Sequence, residues 1–556
     1  MRPRPSDCLT LARECKIHPA VAAILIRRGL RTSSDFFNFL NPSLSGLESP
    51  FVFQDMQKSV ERIRSAISRK ERILVYGDYD VDGITGSSIL VPVLKKMGAD
   101  AEVHIPHRVS EGYGLNLESL GRLLQKGFSL VITVDNGITG VEQVRYLTEH
   151  GADVIIVDHH TPKDEVPAAF SIICANVKDK KGDPHLAACG LAFKLSWALL
   201  ESYQEVEPYL DLVALGTIAD LAPVLGDNRI LLKRGLELLS QARRPGIRAL
   251  MEVSRISPRL VNYRDIAFGL APRINAAGRM GSPLNAFKLL TTEDASEAKD
   301  LAKFLDGGNR DRQRVEAAAF KQAVEFTKNA PASETQERIL VLEHHDWHEG
   351  VLGIIAARLV ERTHKPAIVI SMKNGVGKGS GRSIPGFSLF DAVRPFENLL
   401  ENFGGHAQAI GLTIKSERLS DFKRMLNQGT VEVQTPGLIV ELAIEDEILF
   451  EELNLEFLKD LNRLEPFGPG NVKPYFLSRG VRLKGESKKR GKDTLSCWMT
   501  DPKGKTTCEV VGFRCFERWE KEDQTGLFDV VHRPTLMESR GIAYIQLELE
   551  DWRRAT

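Results

Sequence analysis

With 556 residues, the chain is longer than one hydrophobic core organises, so three or four domains of roughly 100 to 200 residues each are expected. Lys plus Arg and Asp plus Glu balance at 74 each, which excludes a global basic field and leaves any polyanion site to a local patch. Seven cysteines without a C-x-x-C pair argue against a disulfide framework or a zinc ribbon, and neither a signal-type run after Arg2–Pro5 nor a membrane-length apolar stretch is found, so a soluble, cytoplasmic protein is expected.

Residues 1–50 read as short helices, with His18–Gly29 an apolar one that stops at a glycine, and carry no legible chemistry. Gln57–Lys70 is an amphipathic helix leading into the buried-strand run Arg72–Tyr76 and then into Gly77-Asp78-Tyr79-Asp80-Val81-Asp82-Gly83-Ile84-Thr85-Gly86. A glycine-rich turn between strand and helix ordinarily suggests phosphate bound by backbone N–H groups, but three carboxylates would repel a phosphate unless a divalent cation lay between. One aspartate would cap the helix Ile84–Met97; three alternating ones exceed what capping needs, and the turn asks for a metal.

The pattern repeats. Ala101–Pro106 leads to His107-Arg108 and the loop Gly112-Tyr113-Gly114, and Leu130–Val134 ends in Asp135-Asn136-Gly137. A helix Val141–His150 feeds Val154–Val157, mostly β-branched residues that suit a strand buried on both faces and end in Asp158-His159-His160. That triplet fits a hydrogen-bonded turn as well as a metal site. Strands alternating with helices predict a doubly wound parallel sheet whose carboxyl ends share one crevice, where Asp80, Asp82, Asp135 and His159 converge. The helix Tyr209–Ala219 delivers Asp220 among apolar residues, either as a buried cap or as a cation ligand. Two cations about 3.5 to 4 Å apart would be an economical arrangement for hydrolysing a phosphodiester. Mixed Asp/His ligands without thiolate suit Mn²⁺, with Mg²⁺ as the alternative.

Thr292–Lys328 is charged and proline-free and reads as one or two helices, a solvated spacer for most of its charges. Residues 338–430 form a second α/β unit that includes Trp347–Gly353 and the glycine-dense Gly375–Ser383. Its glycines with Arg382 suit either close backbone approach to a phosphate or a flexible hairpin turn. From about residue 436 five short strands, Val472–Lys484, Thr494–Thr500, Thr506–Phe513, Phe528–His532 and Ala543–Leu549, suit an oligonucleotide-binding barrel. The basic tip Lys488–Lys492, flanked by Trp498, Phe513 and Phe516, offers phosphate attraction with base stacking, or merely a soluble edge.

Gly77–Gly83, Val134–Gly137, Asp158–His160 and Gly216–Asp220, in that order, resemble the four motifs of the DHH phosphoesterases. Ala271–Arg279 and Gly404-Gly405-His406-Ala407 look like the RecJ branch of that family, the single-strand-specific 5′ to 3′ DNA exonucleases. The resemblance covers nearly the whole chain from about residue 50 onward. It implies an α/β fold: a parallel-sheet DHH domain joined by a long helix to a smaller α/β DHH-associated domain, plus a C-terminal OB-fold β-barrel. The expected divisions are a helical segment 1–50, the DHH domain 51–235, a helical connector 236–330, the DHH-associated domain 331–432 and the OB domain 433–556.

The same resemblance implies that Asp80, Asp82, Asp135, His159 and Asp220 ligate two Mn²⁺ (or Mg²⁺) ions. Asp78, counted among the metal residues, and His160, counted among the catalytic ones, would orient ligands or contact the scissile phosphate. Arg108, Arg279, Ser380, Arg382 and His406 would hold the 5′ end, with Asn309, Arg312 and Gln313 near the start of the connecting helix facing the cleft. The expected protein is a monomeric exonuclease of DNA repair and recombination, taking single-stranded DNA from a helicase and a single-strand-binding protein and needing no membrane. The alternatives are a DHH phosphodiesterase acting on short oligoribonucleotides or cyclic dinucleotides, which the barrel and connector disfavour, and a non-enzymatic scaffold, which the complete ligand positions disfavour.

Overall fold

Arg72–Gly77 (β1) is the hinge of the first sheet. In the computed structural model, which describes residues 7–555 except 109, 164, 180, 259–260, 330–337, 430–441 and 540–541, β1 lies between Asp100–His104 (β2) and Phe128–Val134 (β3). Asp153–Val157 (β4) and Ser171–Ile173 (β5) continue the sheet, all parallel, in the order β2-β1-β3-β4-β5. The segment Arg2–Pro5 lies outside the described residues. The chain leaves β1 for β2 on one side and returns to β3 on the other, so the carboxyl ends of β1 and β3 flank the topological switch point. Burial explains the composition: Val154, Ile155, Ile156 and Val157 are fully enclosed, as apolar runs in a sheet covered on both faces must be.

The charged, proline-free stretch Thr292–Lys328 forms a single helix of 35 residues, Ala295–Asn329. With no proline to stop it the helix runs unbroken, and Asn309, Arg312 and Gln313 lie midway along it rather than near its start. Asn309 is buried, Arg312 half-buried and Gln313 exposed.

The second sheet contains Leu340–His344 (β6), Ala367–Lys373 (β7), Val376–Arg382 (β8), Leu400–His406 (β9) and Ala409–Lys415 (β10), ordered β6-β7-β8-β10-β9. The glycines of β8 open neither a phosphate cradle nor a flexible turn. A Cβ on Gly377 would stand 2.7 Å from Ile370 Cγ2, on Gly379 2.8 Å from Leu412 Cδ1, and on Gly381 2.6 Å from Ile410 Cγ1. They occupy the core face of a strand that alternates, which sends Lys378, Ser380 and Arg382 to the other face. Gly379→Val is expected to overpack that core and cost about 1 to 3 kcal/mol, read as a lower urea midpoint at unchanged slope.

The third sheet, Ile444–Glu447 (β11), Tyr475–Arg490 (β12), Thr494–Thr500 (β13), Thr507–Gly512 (β14), Phe528–Ser539 (β15) and Ile542–Arg554 (β16), runs β11-β12-β13-β14-β16-β15, and β12 also pairs with β15. That extra pairing closes five strands on themselves, as an OB fold requires. Strand β12 serves two partners because it bends at register shifts holding Gly480 (φ 63°) and Gly485 (φ 78°). Strands β12, β15 and β16 are longer than their sequence patterns suggest, and the Lys488–Arg490 stretch is the end of β12, paired to Thr494–Ser496. Trp498 and Phe513 are exposed there, whereas Phe516 is buried in the core and unavailable for stacking.

The described residues within 1–48, 221–234 and 441–556 share one compact unit, and those within 49–220 and 235–440 form the other. Within the first unit the helices Cys8–Cys15, Pro19–Arg27 and Ser33–Leu40 enter the same core as the barrel strands. Arg229 ties the pieces together: its guanidinium donates to the carbonyls of Phe39 (3.0 Å), Leu464 (2.9 Å), Arg463 (3.2 Å) and Glu465 (3.0 Å). No helix among the described residues is long and apolar enough to cross a membrane.

Candidate metal centre

Each acidic residue is held by the strand end or helix terminus that carries it. Asp80 is the N-cap of the helix Val81–Lys96, its Oδ1 accepting from the N–H of Asp82 (2.9 Å) and of Gly83 (3.2 Å). That helix starts hard against the strand end, because a Cβ on Gly83 would lie 2.5 Å from Asp78 N. Asp82, one residue into the helix, accepts from the N–H groups of Ala188 (2.7 Å) and Cys189 (2.9 Å), where the helix Ala188–Leu200 begins. Asp135 takes a left-handed backbone conformation (φ 66°) with its N–H donated to Val157 O at 3.0 Å. Asp220 ends the buried helix Leu210–Ala219 and donates its N–H to Gly216 O at 2.9 Å.

These turns bring the metal-type groups together. His159 Nε2 lies 3.3 Å from Asp135 Oδ1 and 3.8 Å from both Asp82 Oδ2 and Asp220 Oδ2. Asp82, His159 and Asp220 offer ligand atoms within 4.8 Å of one another, as do Asp78, Asp80 and Asp135. A third grouping, Asp135 with His159 and His160, is weaker because His160 Nδ1 is committed to Asp158 Oδ1 at 2.7 Å. Among the described residues Asp78 Oδ1, Asp135 Oδ1 and His159 Nε2 are buried and make no hydrogen bond, the 3.3 Å approach of the last two included. Unbonded polar atoms in a buried cluster of carboxylates are costly unless something cationic fills them, so the donor set fits two divalent cations and, lacking thiolate, suits hard or borderline ions.

The electrostatics agree. Burial first, then neighbouring carboxylates, pushes Asp78 and Asp135 well above the usual carboxylate range. Asp220 rises to about 8, by burial and then by Asp82 and Asp80. Asp82 is raised by burial, which outweighs the opposing His159. Asp158 runs the other way: burial would raise it, but the bond from His160 and those from the N–H groups of Ile138 (3.0 Å), His159 (2.8 Å) and His160 (3.1 Å) hold it below the ordinary value. Burial opposes protonation of His160, yet Asp158, with Asp220 and Asp80 behind it, lifts it to about 9, which favours an imidazolium beside the Asp158 carboxylate. The other face of His160 meets Tyr113, whose hydroxyl is 3.3 Å from Nε2.

A second group of side chains in the same unit is cationic. Burial, then Arg108 and Arg312, lowers Arg279 to about 9, with Arg382 adding to the effect. Burial and then Arg108 lower Arg382. Arg279 Nη1 donates to Gly350 O at 2.7 Å, and Arg382 Nη1 to Ser380 Oγ at 3.2 Å. Among the described residues Arg108, Arg279 and Arg382 form no ion pair with a carboxylate, whereas Arg312 is bound to Glu316 at 2.7 Å and to Asn309 at 2.9 Å. His406 is exposed; it lies in the row Arg382–Ala409–His406 across β8, β10 and β9, two strands from Arg382.

The model of the DHH family, N-terminal domain, matches residues 72–217, that of the DHHA1 domain 336–431 and that of the RecJ OB domain 444–551. The single-stranded-DNA-specific exonuclease RecJ of Haemophilus influenzae is 30% identical over 552 residues, which cover 95% of each chain. The chain belongs to the RecJ family. The RecJ of Bacillus subtilis is 36% identical over 519 residues, 92% of this chain and 65% of that one, so the chain spans about two thirds of the length of that curated relative. The crystal structure of RecJ in complex with Mn²⁺ from Thermus thermophilus matches with a TM-score of 0.84 at 30% identity, over 100% of this chain and 78% of that one.

Within the RecJ frame, the acidic cluster falls in the DHH match except for Asp220, three residues past its end, while Arg279 and Arg312 lie in neither α/β match. Several residues near the cluster had no role assignable from sequence. Asp158 organises the turn by collecting three backbone N–H groups, and Asn136 donates its carboxamide to Val134 O (3.0 Å) and Tyr76 O (3.3 Å), joining β1 to β3. Tyr113 gave no signal beyond its two flanking glycines.

Proposed function

We propose that the chain is a cytoplasmic, monomeric exonuclease that hydrolyses single-stranded DNA from its 5′ end with two divalent cations, Mn²⁺ or Mg²⁺, in DNA repair and recombination. A helicase and a single-strand-binding protein would supply and hold the strand. The observation that carries this reading is the pairing of buried, unpartnered acceptors at Asp78, Asp135 and His159 with arginines 108, 279 and 382 that have no carboxylate partner among the described residues.

Asp80, Asp82, Asp135, His159 and Asp220 would hold the cations, with Asp78 beside them. When bound, the cation pair supplies Lewis acidity for the attack of water on the scissile phosphorus and for departure of the 3′ oxygen. His160, kept protonated by Asp158, offers its Nε2–H to a phosphate oxygen. Arg382 and Arg279, with Arg108 and the Ser380 hydroxyl, take the terminal phosphate in charge-assisted bonds, and His406 extends the same sheet face. Breaking the bond to the 3′ oxygen leaves a 5′-phosphate on the shortened strand, so each cycle presents the arginines with the same end. Exposed Trp498, opposite Lys484 on the barrel, offers a nucleic-acid base a stacking surface beside a cation.

End-labelled single strands incubated with Mn²⁺, Mg²⁺ or chelator test this, beside a dinucleotide. Release of the 5′ label first, only with a cation, is expected; faster hydrolysis of the dinucleotide would sink the reading. Arg382→Ala is expected to raise KM for a 5′-phosphorylated strand by about 10- to 100-fold, the loss of one charge-assisted contact, and to spare a 5′-hydroxyl strand.

A further inference from the structure

Residues 105–108 and 110–116, between β2 and the helix Leu117–Leu124, bring two side chains to the site from either side of Glu111: Arg108 before it and Tyr113 after it. Beyond Glu111, Gly112 (φ 85°) and Gly114 (φ 77°) have open space among the described residues where a Cβ would be, and only from Leu115 on does the stretch enter the core. Glu111 ties it down. Its N–H donates to His107 O at 2.8 Å, its Oε2 accepts from His107 N at 2.7 Å and lies 3.3 Å from His104 Nε2. Its Oε1 accepts from the Ser119 hydroxyl at 2.6 Å and lies 3.5 Å from Arg122 Nη2, and its carbonyl accepts from Asn116 Nδ2 at 3.2 Å.

The His107–Glu111 bonds close a single turn, and Arg108 sits on it with its guanidinium 4.9 Å from the centre of the Tyr79 ring. Arg108, with no carboxylate partner among the described residues, is aimed by the turn and the ring. A flexible arginine left to itself would lose rotamer entropy on binding a phosphate; a turn that holds its backbone removes part of that loss beforehand.

We propose that Glu111 is a positioning residue: its carboxylate fixes the turn that presents Arg108 to the terminal phosphate, so recognition of the strand end depends on a side chain that does not touch the strand. This rests on the 5′-end reading above. It explains a carboxylate close to an anion pocket, because every oxygen of Glu111 is turned toward donors of its own loop and the following helix.

Fluorescence anisotropy in chelator, with 5′-phosphorylated and 5′-hydroxyl oligonucleotides, separates this from catalysis. Glu111→Ala is expected to weaken binding of the phosphorylated strand by about tenfold and leave the hydroxyl strand unchanged. Glu111→Gln, which keeps an acceptor for the His107 N–H, should restore most of the loss, and Ser119→Ala, which removes one tie without touching the turn, should give a smaller shift in the same direction. Placed on Arg108→Ala, Glu111→Ala should add nothing. Unchanged discrimination in Glu111→Ala and Ser119→Ala, or full additivity with Arg108→Ala, overturns the role of Glu111 alone. Equal binding of both strands by the unaltered protein overturns the 5′-end reading itself.

Discussion

Asp135→Asn is expected to lower strand hydrolysis by on the order of 10³-fold or more, because removing several kcal/mol of charge stabilisation costs tenfold per 1.36 kcal/mol. Asp135 belongs to two of the potential ligand sets of this centre, and its Oδ1 stands 3.3 Å from His159, which also belongs to the third, so its loss touches all of them. Asn keeps the volume and the backbone bond to Val157 while removing a buried carboxyl whose ionisation its neighbours oppose. The same variant should therefore melt no lower than the unaltered protein in chelator, and bind the strand as well or better, since no ionised carboxylate can then form there. Hydrolysis within tenfold of normal, at matched Mn²⁺, would remove Asp135 from the ligand set; a lower melting temperature in chelator would mean that the carboxylate is structural.

The parts of the site legible from sequence are those that local pattern decides. Asp78, Asp80 and Asp82 alternate in a turn after a buried strand, and Asp135 and Asp158 top two more, so a parallel sheet gathers them without further information. The arginines are different: Arg108, Arg279 and Arg382 come from three remote segments, and only a family resemblance, not spacing, could bring them to one place. The glycines of β8 show how local pattern misleads, because alternation along a strand, which turns them into the core, looks in sequence like a loop made for phosphate. Arg229 was invisible for another reason. Its partners are backbone carbonyls of a distant loop, and carbonyls carry no sequence signature. The same holds for Glu111, half of whose bonds go to N–H or carboxamide groups of its own turn.

Heating the protein in chelator should show stability falling as pH rises from about 4 to about 8. A folded carboxyl held above its ordinary value of about 3.9 keeps a proton that the unfolded chain releases, so between the two values the folded state binds more protons and loses up to about 1.4 kcal/mol per pH unit for each such group. Asp220, raised to about 8, sets the upper end of that window, and Asp78, Asp82 and Asp135 shift the same way. His160, raised to about 9, loses its contribution as pH climbs above its ordinary value, which adds to the decline; Asp158 is depressed, so its stabilisation fades only at more acidic pH. Cations that bind the ionised carboxylates reverse the trend, because metal binding releases those protons and strengthens as pH rises. At about a hundredfold excess over the dissociation constant the gain is about 2.7 kcal/mol, several degrees in melting temperature for a unit of this size. The Mn²⁺-induced rise should thus be large near pH 8, small near about pH 5, and much reduced throughout in Asp135→Asn. An equal rise at both pH values, or stability in chelator that increases with pH, would show that these carboxyls are neither raised by burial in the folded protein nor waiting for a cation.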